Sequence, residues 1–276
     1  MGSNTGQNDR GDSSVPPVVL AASGLDPTGS AGLLADVRVL QSLGCHPCGV
    51  VTLETVQTSR GLTEFRPTDP ELFHEQLSAI MDDVNVAAVK IGALGSRKVI
   101  EILCRELKRV PKVPVVLDPV FAPSLGTAFL DRDGMKAMSR DLLEHVFLAT
   151  PNLSELGAPA GLVVREEDDE MMIQCASGWI EAGVKNVLVT GLRGEGVMVD
   201  RLISMPGGQV DARDFSHREQ KVGEVHGTGC VLSSAIAAYL ALGEDLPTAI
   251  EKAGEYVSKA VERAQRFGDG ALFWVV

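Results

Sequence analysis

Two rhythms of apolar and polar residues alternate along this chain. Short runs of Val, Leu, Ile and Ala give way to longer stretches in which apolar residues recur every three or four positions. The short runs predict strands buried on both faces, and the longer stretches predict amphipathic helices. "PVVLAAS" predicts a first strand, followed by the helix "SAGLLADVRVLQSLG" with Gly44 as its C-cap. Strand "GVVTLET" leads to helix "DPELFHEQLSAIMDDV", where Asp69 reads as N-cap and Pro70 as the first helical residue. Strand "VAAVKIGA", helix "SRKVIEILCRELKRV", strand "VPVVLDPV", helix "RDGMKAMSRDLLEH" and strand "VFLATP" follow. Next come helix "REEDDEMMIQCASGWIEAG", whose acidic run Glu166 to Glu170 suits a helix start, and strand "KNVLVTG". "GEGVMVDRLISMPGGQVDARDF" predicts short antiparallel strands turning at Gly194 and Gly207-Gly208, before two closing helices, "GTGCVLSSAIAAYLALG" and "LPTAIEKAGEYVSKAVERAQRF". Repeated strand–helix units of this kind predict a single α/β domain, a mostly parallel central sheet covered by helices on both faces.

Composition narrows the picture. At 276 residues and 45% hydrophobic content the chain can bury a sizeable core, and with 4% aromatics that core is aliphatic. A net charge of -12 argues against nucleic acid as a partner, since Lys and Arg supply most phosphate contacts there. No apolar run reaches the ~18 residues of a membrane span. Residues 1–16, opening "MGSNTGQNDRGDSS", read as a disordered leader, and 17–276 as the folded domain. The five cysteines are scattered and odd in number, which predicts reduced thiols in a cytoplasm. "CHPC" at 45–48 has the redox spacing but no second pair for a zinc site; it reads as ordinary packing.

In parallel sheets ligands sit beyond the carboxyl ends of the strands. Polar clusters stand at those ends: "SGLDPTGSAG", "KIGALG", "LDPVFAPSLG" and "TPNLSE". Neither the Walker-type nor the dinucleotide-binding glycine pattern is present. Late in the chain, "HGTGC" places a thiol on the first turn of a helix behind two glycines. Glycines let backbone approach a phosphate, and the N–H groups of Gly227, Thr228, Gly229 and Cys230 can point into one concavity as an anion hole. The helix start also predicts a lowered thiol pKa, making Cys230 a proton acceptor for a substrate hydroxyl; the alternative is a buried helix-start cysteine. His226 beside it reads as a structural loop residue.

"GLDPTGSAG", "VQTSRG", "KIGAL", "LDPV", "TPNLSE" and "HGTGC" stand in one order across residues 18–274. Together they resemble the hydroxymethylpyrimidine/phosphomethylpyrimidine kinases of thiamine biosynthesis, within the ribokinase-like superfamily. The resemblance implies a ribokinase-like domain with a small β flap around residues 54–66. It implies ATP- and Mg2+-dependent phosphorylation of the hydroxymethyl group of an aminopyrimidine, then of its monophosphate. It puts Gly24, Asp26, Ala31, Thr55, Gln57, Ala93 and Val120 at the substrate, where Gln57 can both donate to and accept from an aminopyrimidine edge. Asn152 and Glu155 would organise magnesium and its waters near the nucleotide, although Asn with Glu three residues on is also an ordinary capping box. Asp118 would add charge near the metal, or simply end its strand at a turn. We place Thr190 and Gly191 with Asn152 on the nucleotide side. A homodimer is the family's expectation.

Departures fall on the pocket walls. Thr55 stands where the family commonly has a small apolar residue, Ala93 and Phe121 where it has Met, and Pro123 in a stretch that usually reads Lys-Ser-Gly. "TGLRG" at 190–194 replaces the usual Lys-Gly-Gly-His and is closer to sugar and nucleoside kinases. A pyridoxal or pyridoxine kinase is the second reading, and a non-catalytic pyrimidine-binding protein of the same fold the third.

Overall fold

In a computed structural model the described residues are 15–121, 128–218, 222–223 and 225–275. Residues 1–14 of the expected leader and Pro123 lie outside them. Strands β1 (Val18–Leu25), β2 (His46–Thr58), β3 (Gly61–Pro67), β4 (Val86–Ile91), β5 (Val115–Leu117), β6 (Leu148–Ala149), β7 (Asn186–Arg193), β8 (Val197–Ser204) and β9 (Asp211–Arg218) form one nine-stranded sheet. Its order is β3-β2-β1-β4-β5-β6-β7-β8-β9. From β2 to β7 all pairings are parallel; β3 at one edge and β8 and β9 at the other are antiparallel. A second small sheet pairs β10 (Val225–His226) with β11 (Leu272–Phe273).

Two aliphatic cores lie on the two faces of the large sheet. One is covered by α2 (Pro70–Asp83), α3 (Arg97–Leu107), α4 (Arg132–Ala137), α5 (Leu153–Gly157) and α6 (Asp169–Glu181), the other by α1 (Gly32–Ser42), α7 (Thr228–Ala241) and α8 (Leu246–Glu262). Every residue of α7 from Val231 to Ala238 is buried. Each large aliphatic side chain so covered contributes roughly 1.5–3 kcal/mol. Local signals agree with the elements. Asp69 accepts hydrogen bonds from the Glu71 and Leu72 N–H groups ahead of Pro70, and Ser96 caps α3 through the Val99 N–H. Cys45 is buried and Cys48 half-buried, and burial pushes both thiols up, as packing residues require. Among the described residues, no helix is long and apolar enough to cross a membrane.

Some boundaries differ from expectation. The helix expected over 132–145 is α4, then a π turn at Met138–Leu142 and a 3-10 turn at Leu143–His145. The acidic run does not open α6 at Glu166: Asp168 caps it, and Glu166 instead accepts from the Arg193 N–H across the sheet end. β5 and β6 are shorter than their apolar runs, and β10 and β11 had no period to betray them.

The sheet order reverses direction at β1 and β4, where β1 pairs with both β2 and β4. One buried ion pair holds this junction. Lys90 on β4 and Asp36 on α1 are both fully buried, with Nζ 2.9 Å from Oδ1 and 3.0 Å from Oδ2. Ser234 of α7 donates to Asp36 Oδ1 at 2.7 Å, and Lys90 Nζ donates to Ser23 Oγ at 3.3 Å. A Cβ at Gly92 would stand 2.7 Å from Ser23 Oγ and 3.0 Å from the ammonium, so glycine leaves room for the charge. Burial lowers the Lys90 pKa, but the facing carboxylates outweigh it and the ammonium is held above its ordinary value.

Removing one partner of such a pair leaves an uncompensated buried charge, typically costing about 3–5 kcal/mol. Lys90→Met is therefore expected to lower unfolding free energy by about that amount in urea titration. Adding Asp36→Leu should recover at least half of it. A loss below ~1 kcal/mol in the single variant would show that the pair does not organise the junction.

Candidate active site

The carboxyl ends of β1, β4, β5 and β6 and the start of α7 enclose a cavity of ≈ 620 Å³. Gly24, Asp26, Ala31, Thr55, Gln57, Ala93, Val120, Asp118, Asn152, Glu155, Thr190, Gly227, Thr228, Gly229 and Cys230 all line it. Gly191 does not. It turns with φ 75° beyond Thr190, and its N–H donates to Asp200 Oδ1 at 2.9 Å. It stands inside β7, at the irregularity between Val189 and Leu192 where the strand pairs with β8.

The loop after β1 is built on Asp26. Oδ1 accepts the Thr28 N–H at 2.9 Å, while Oδ2 accepts the Thr28 hydroxyl at 2.8 Å and the Ala31 N–H at 3.1 Å. Burial pushes this carboxyl up, but His226 and the Thr28 donors overcome it and hold the pKa below the usual carboxylate value. His226 Nε2 lies 3.2 Å from Asp26 Oδ2 and 2.7 Å from the Gln57 side-chain amide. His226 is thus more than a loop residue; it joins two expected substrate contacts. Across the cavity, Thr55 Oγ donates to the Leu25 carbonyl at 2.9 Å, and Phe65 of β3 meets Phe129 edge-on, centroids 5.1 Å apart. The flap strand β3 therefore packs on Phe129, which lines the cavity.

Gly227 begins α7 in a left-handed conformation, φ 86°, where a Cβ would overlap the Ser30 carbonyl. No side chain caps this helix, which leaves its first N–H groups facing the cavity. Gly229 is different: an added Cβ would meet only Asp118 Oδ2, at 3.9 Å. Its glycine keeps the cavity floor open rather than permitting a turn.

Cys230 follows, half-buried. Burial pushes its thiol strongly up; Lys90 pulls it down, while Asp118 and Asp36 push it further up. The expected lowering by the helix start is therefore corrected. Desolvation and two neighbouring carboxylates outweigh a half-charge at a helix end. Asp118 accepts from the Cys230 thiol and from Ser233 Oγ, the latter at 3.2 Å, and burial raises its own pKa despite Lys90.

Asn152 and Glu155 form the capping box in full. Asn152 Oδ1 accepts the Glu155 N–H and Glu155 Oε2 accepts the Asn152 N–H, both at 3.0 Å. Yet Glu155 is pushed up to about 8, by burial first and by Asp118 second. A cap alone would lower it. Burial raises both carboxyls and Asp118 raises Glu155 further, so a cation beside these two on the cavity wall would relieve them, and oxygen donors suit a hard one. Among the described residues, no group of three or more His, Cys, Asp or Glu forms a closed metal cage. Sequence reasoning missed Lys90, Asp36 and His226. The signal for the first two was available: a lysine inside a strand buried on both faces needs a buried partner.

A profile of the family described as Phosphomethylpyrimidine kinase matches residues 26–273. The hydroxymethylpyrimidine/phosphomethylpyrimidine kinase of Rhizobium meliloti is 34% identical over 260 residues, covering 92% of this chain and 93% of its own length. Among solved structures, an ADP complex of Bacillus subtilis pyridoxal kinase superposes with a TM-score of 0.82 at 25% identity, covering 94% of this chain and 96% of that one. Phosphomethylpyrimidine kinase from Clostridium difficile superposes with a TM-score of 0.74 at 27% identity, covering 89% and 99%. The fold is that of these vitamin kinases, and the chain belongs to the phosphomethylpyrimidine kinase family.

Proposed function

We propose that this protein uses ATP to phosphorylate the hydroxymethyl group of 4-amino-5-hydroxymethyl-2-methylpyrimidine and then the resulting monophosphate, in thiamine biosynthesis. One observation carries the reading: the uncapped start of α7 faces the same cavity as the Asp26–His226–Gln57 cluster. The first can hold a phosphoryl group, and the second can read a polar heterocycle. Gly227, Thr228 and Gly229 stabilise charge on the transferred phosphoryl through backbone N–H groups. Cys230 lies where the substrate hydroxyl loses its proton. Gly24, Asp26, Ala31, Thr55, Gln57, Ala93 and Val120 form the pyrimidine pocket, with Asn152 and Thr190 toward the nucleotide. Asp118 and Glu155 would hold Mg2+, which supplies charge neutralisation at the phosphates. The five free cysteines suit a reducing compartment such as the cytoplasm. Likeness to a pyridoxal kinase supports a second reading, a vitamin B6 alcohol as acceptor. A substrate panel with ATP, reading ADP release and product mass, separates the two.

A positioned base typically contributes 10²–10⁴ in rate, but a loose phosphoryl transition state asks little of it. Cys230→Ala should therefore lose roughly 10²-fold in kcat with an unchanged melting temperature. Near wild-type turnover would leave Cys230 a packing role.

Glu155 gives the pH dependence. Its raised pKa means that the metal-free folded state holds a proton that the unfolded chain releases from about 4.5 upward. Stability of the metal-free protein should thus fall as pH climbs from about 4.5 to about 8, while Mg2+ affinity rises over the approach to 8 as that proton leaves. Glu155→Gln should flatten both profiles, read by thermal melts and by calorimetric Mg2+ titration. A pH-independent affinity in the wild type would remove Glu155 from the metal site.

Ala93 concerns selectivity. Replacing the family's Met widens the wall, and an apolar pocket discriminates one methylene by only ~1–3 kcal/mol. The wild type should accept a methoxy in place of the ring methyl, and Ala93→Met should narrow that tolerance while sparing the parent alcohol. The ratio of kcat/KM for the two alcohols is the readout; an unchanged ratio would take Ala93 off the ring contact.

A further inference from the structure

We infer that His226 fixes which way the Gln57 side-chain amide faces, and so sets the order of hydrogen-bond donor and acceptor that the substrate ring meets. The inference rests on the heterocycle reading of this pocket for its consequence, though not for its geometry.

His226 Nε2 has two neighbours, Asp26 Oδ2 at 3.2 Å and the Gln57 amide at 2.7 Å. An ionised carboxylate only accepts. The Asp26 oxygens already accept from Thr28 and Ala31, and their shared negative charge favours a proton on the nitrogen facing them. Nε2 therefore carries hydrogen. A ring nitrogen that carries hydrogen has no lone pair for an amide N–H, so the Gln57 atom beside it is the carbonyl oxygen. Turning the amide by half a revolution exchanges oxygen and nitrogen without moving any other atom. That turn sends the NH2 group toward Thr55 Oγ, 3.5 Å from the other amide position. Thr55 can receive it, because its own hydrogen goes to the Leu25 carbonyl at 2.9 Å.

The Nε2 hydrogen is then shared by two acceptors, Asp26 Oδ2 and the Gln57 carbonyl, and from Gln57 the donation passes on through Thr55 to the Leu25 carbonyl. One amide hydrogen and one carbonyl lone pair of Gln57 remain for the cavity it lines. With the opposite ring tautomer, Nε2 would turn a lone pair on the Asp26 carboxylate and the amide would reverse. The ring is held from outside the pocket: His226 pairs with Phe273 across the small sheet, and Gly227 abuts the Ser30 carbonyl. His226 is thus a positioning residue that joins the catalytic loop to the flap.

Two measurements test this. Long-range 1H–15N spectra of histidine-labelled protein, well above the ordinary imidazole pKa of ~6.5, should show His226 protonated on Nε2 and bare on Nδ1. The reverse tautomer overturns the inference, and since no substrate is present this result stands apart from the proposed reaction. The second compares kcat/KM for the aminopyrimidine alcohol with that for its analogue carrying oxygen in place of the amino group. In His226→Leu the Gln57 amide is free to turn, so the preference for the amino compound should shrink about tenfold, the worth of one good hydrogen bond. KM for the alcohol should rise by a similar factor, with kcat and KM for ATP within about threefold. His226→Gln, which can donate to both Asp26 and Gln57, should restore most of the preference. A preference unchanged in His226→Leu, with activity lost uniformly, makes His226 structural and overturns the inference. If the wild type phosphorylates neither pyrimidine, the functional reading fails and the tautomer spectrum alone decides the His226 contact.

Discussion

An ammonium group with no access to water sits at the centre of this molecule, and it can exist there only because Asp36 meets it at 2.9 Å. Desolvating either ion alone would cost several kcal/mol, so the two must arrive together. They come from different elements, Lys90 from the end of β4 and Asp36 from the middle of α1, with Ser234 of α7 donating to the same carboxylate oxygen that Lys90 meets at 2.9 Å. Their pairing therefore fixes two helices on the one strand junction where the sheet order reverses. Because α7 is pinned there, its first turn opens toward the cavity rather than along the sheet. The start of α7 on the cavity wall is thus tied to the buried ion pair through Ser234.

The same charges decide the chemistry of Cys230. A helix start alone would make its thiol acidic. Here burial acts first, and Asp118 and Asp36 add two negative charges against the single positive charge of Lys90. The thiol of the free protein therefore keeps its proton. Asp118 and Glu155 carry the same imbalance, an excess of negative charge that a divalent cation would neutralise.

Long elements were legible in the chain because their periods are long enough to register. The cap Asp69 and the helices α2 and α3 stand where the pattern puts them. The two-residue strands β10 and β11 carry no period at all, and they pair only with each other, across a long separation in sequence. Of the site, the motif residues gather around one cavity except Gly191, whose N–H is spent on Asp200. Lys90 hid inside "VAAVKIGA", where a charge in an otherwise apolar strand should have been asked for its partner. His226 gave no such signal, because Asp26 and Gln57 lie 200 and 169 residues away and no local spacing encodes them.

Distance in sequence also explains the last segment of the chain. Trp274 is buried, and its indole N–H donates to the Ser30 carbonyl at 2.6 Å while Arg38 stacks 4.2 Å from its ring centroid. Four residues earlier, Gly270 receives its bond from the flap tip, its N–H donating to Ser59 Oγ at 3.2 Å, and the Ala271 N–H donates to the Ser59 carbonyl at 2.9 Å. Between these contacts, β11 pairs with β10, the strand that carries His226 into the catalytic loop. One short stretch thus touches the loop after β1, the flap turn and the strand that leads into α7. Each of those loops alone would pay its own ordering entropy. Tied to a common strand, they order together, so the loop after β1, the flap turn and the start of α7 form one cooperative unit around the cavity.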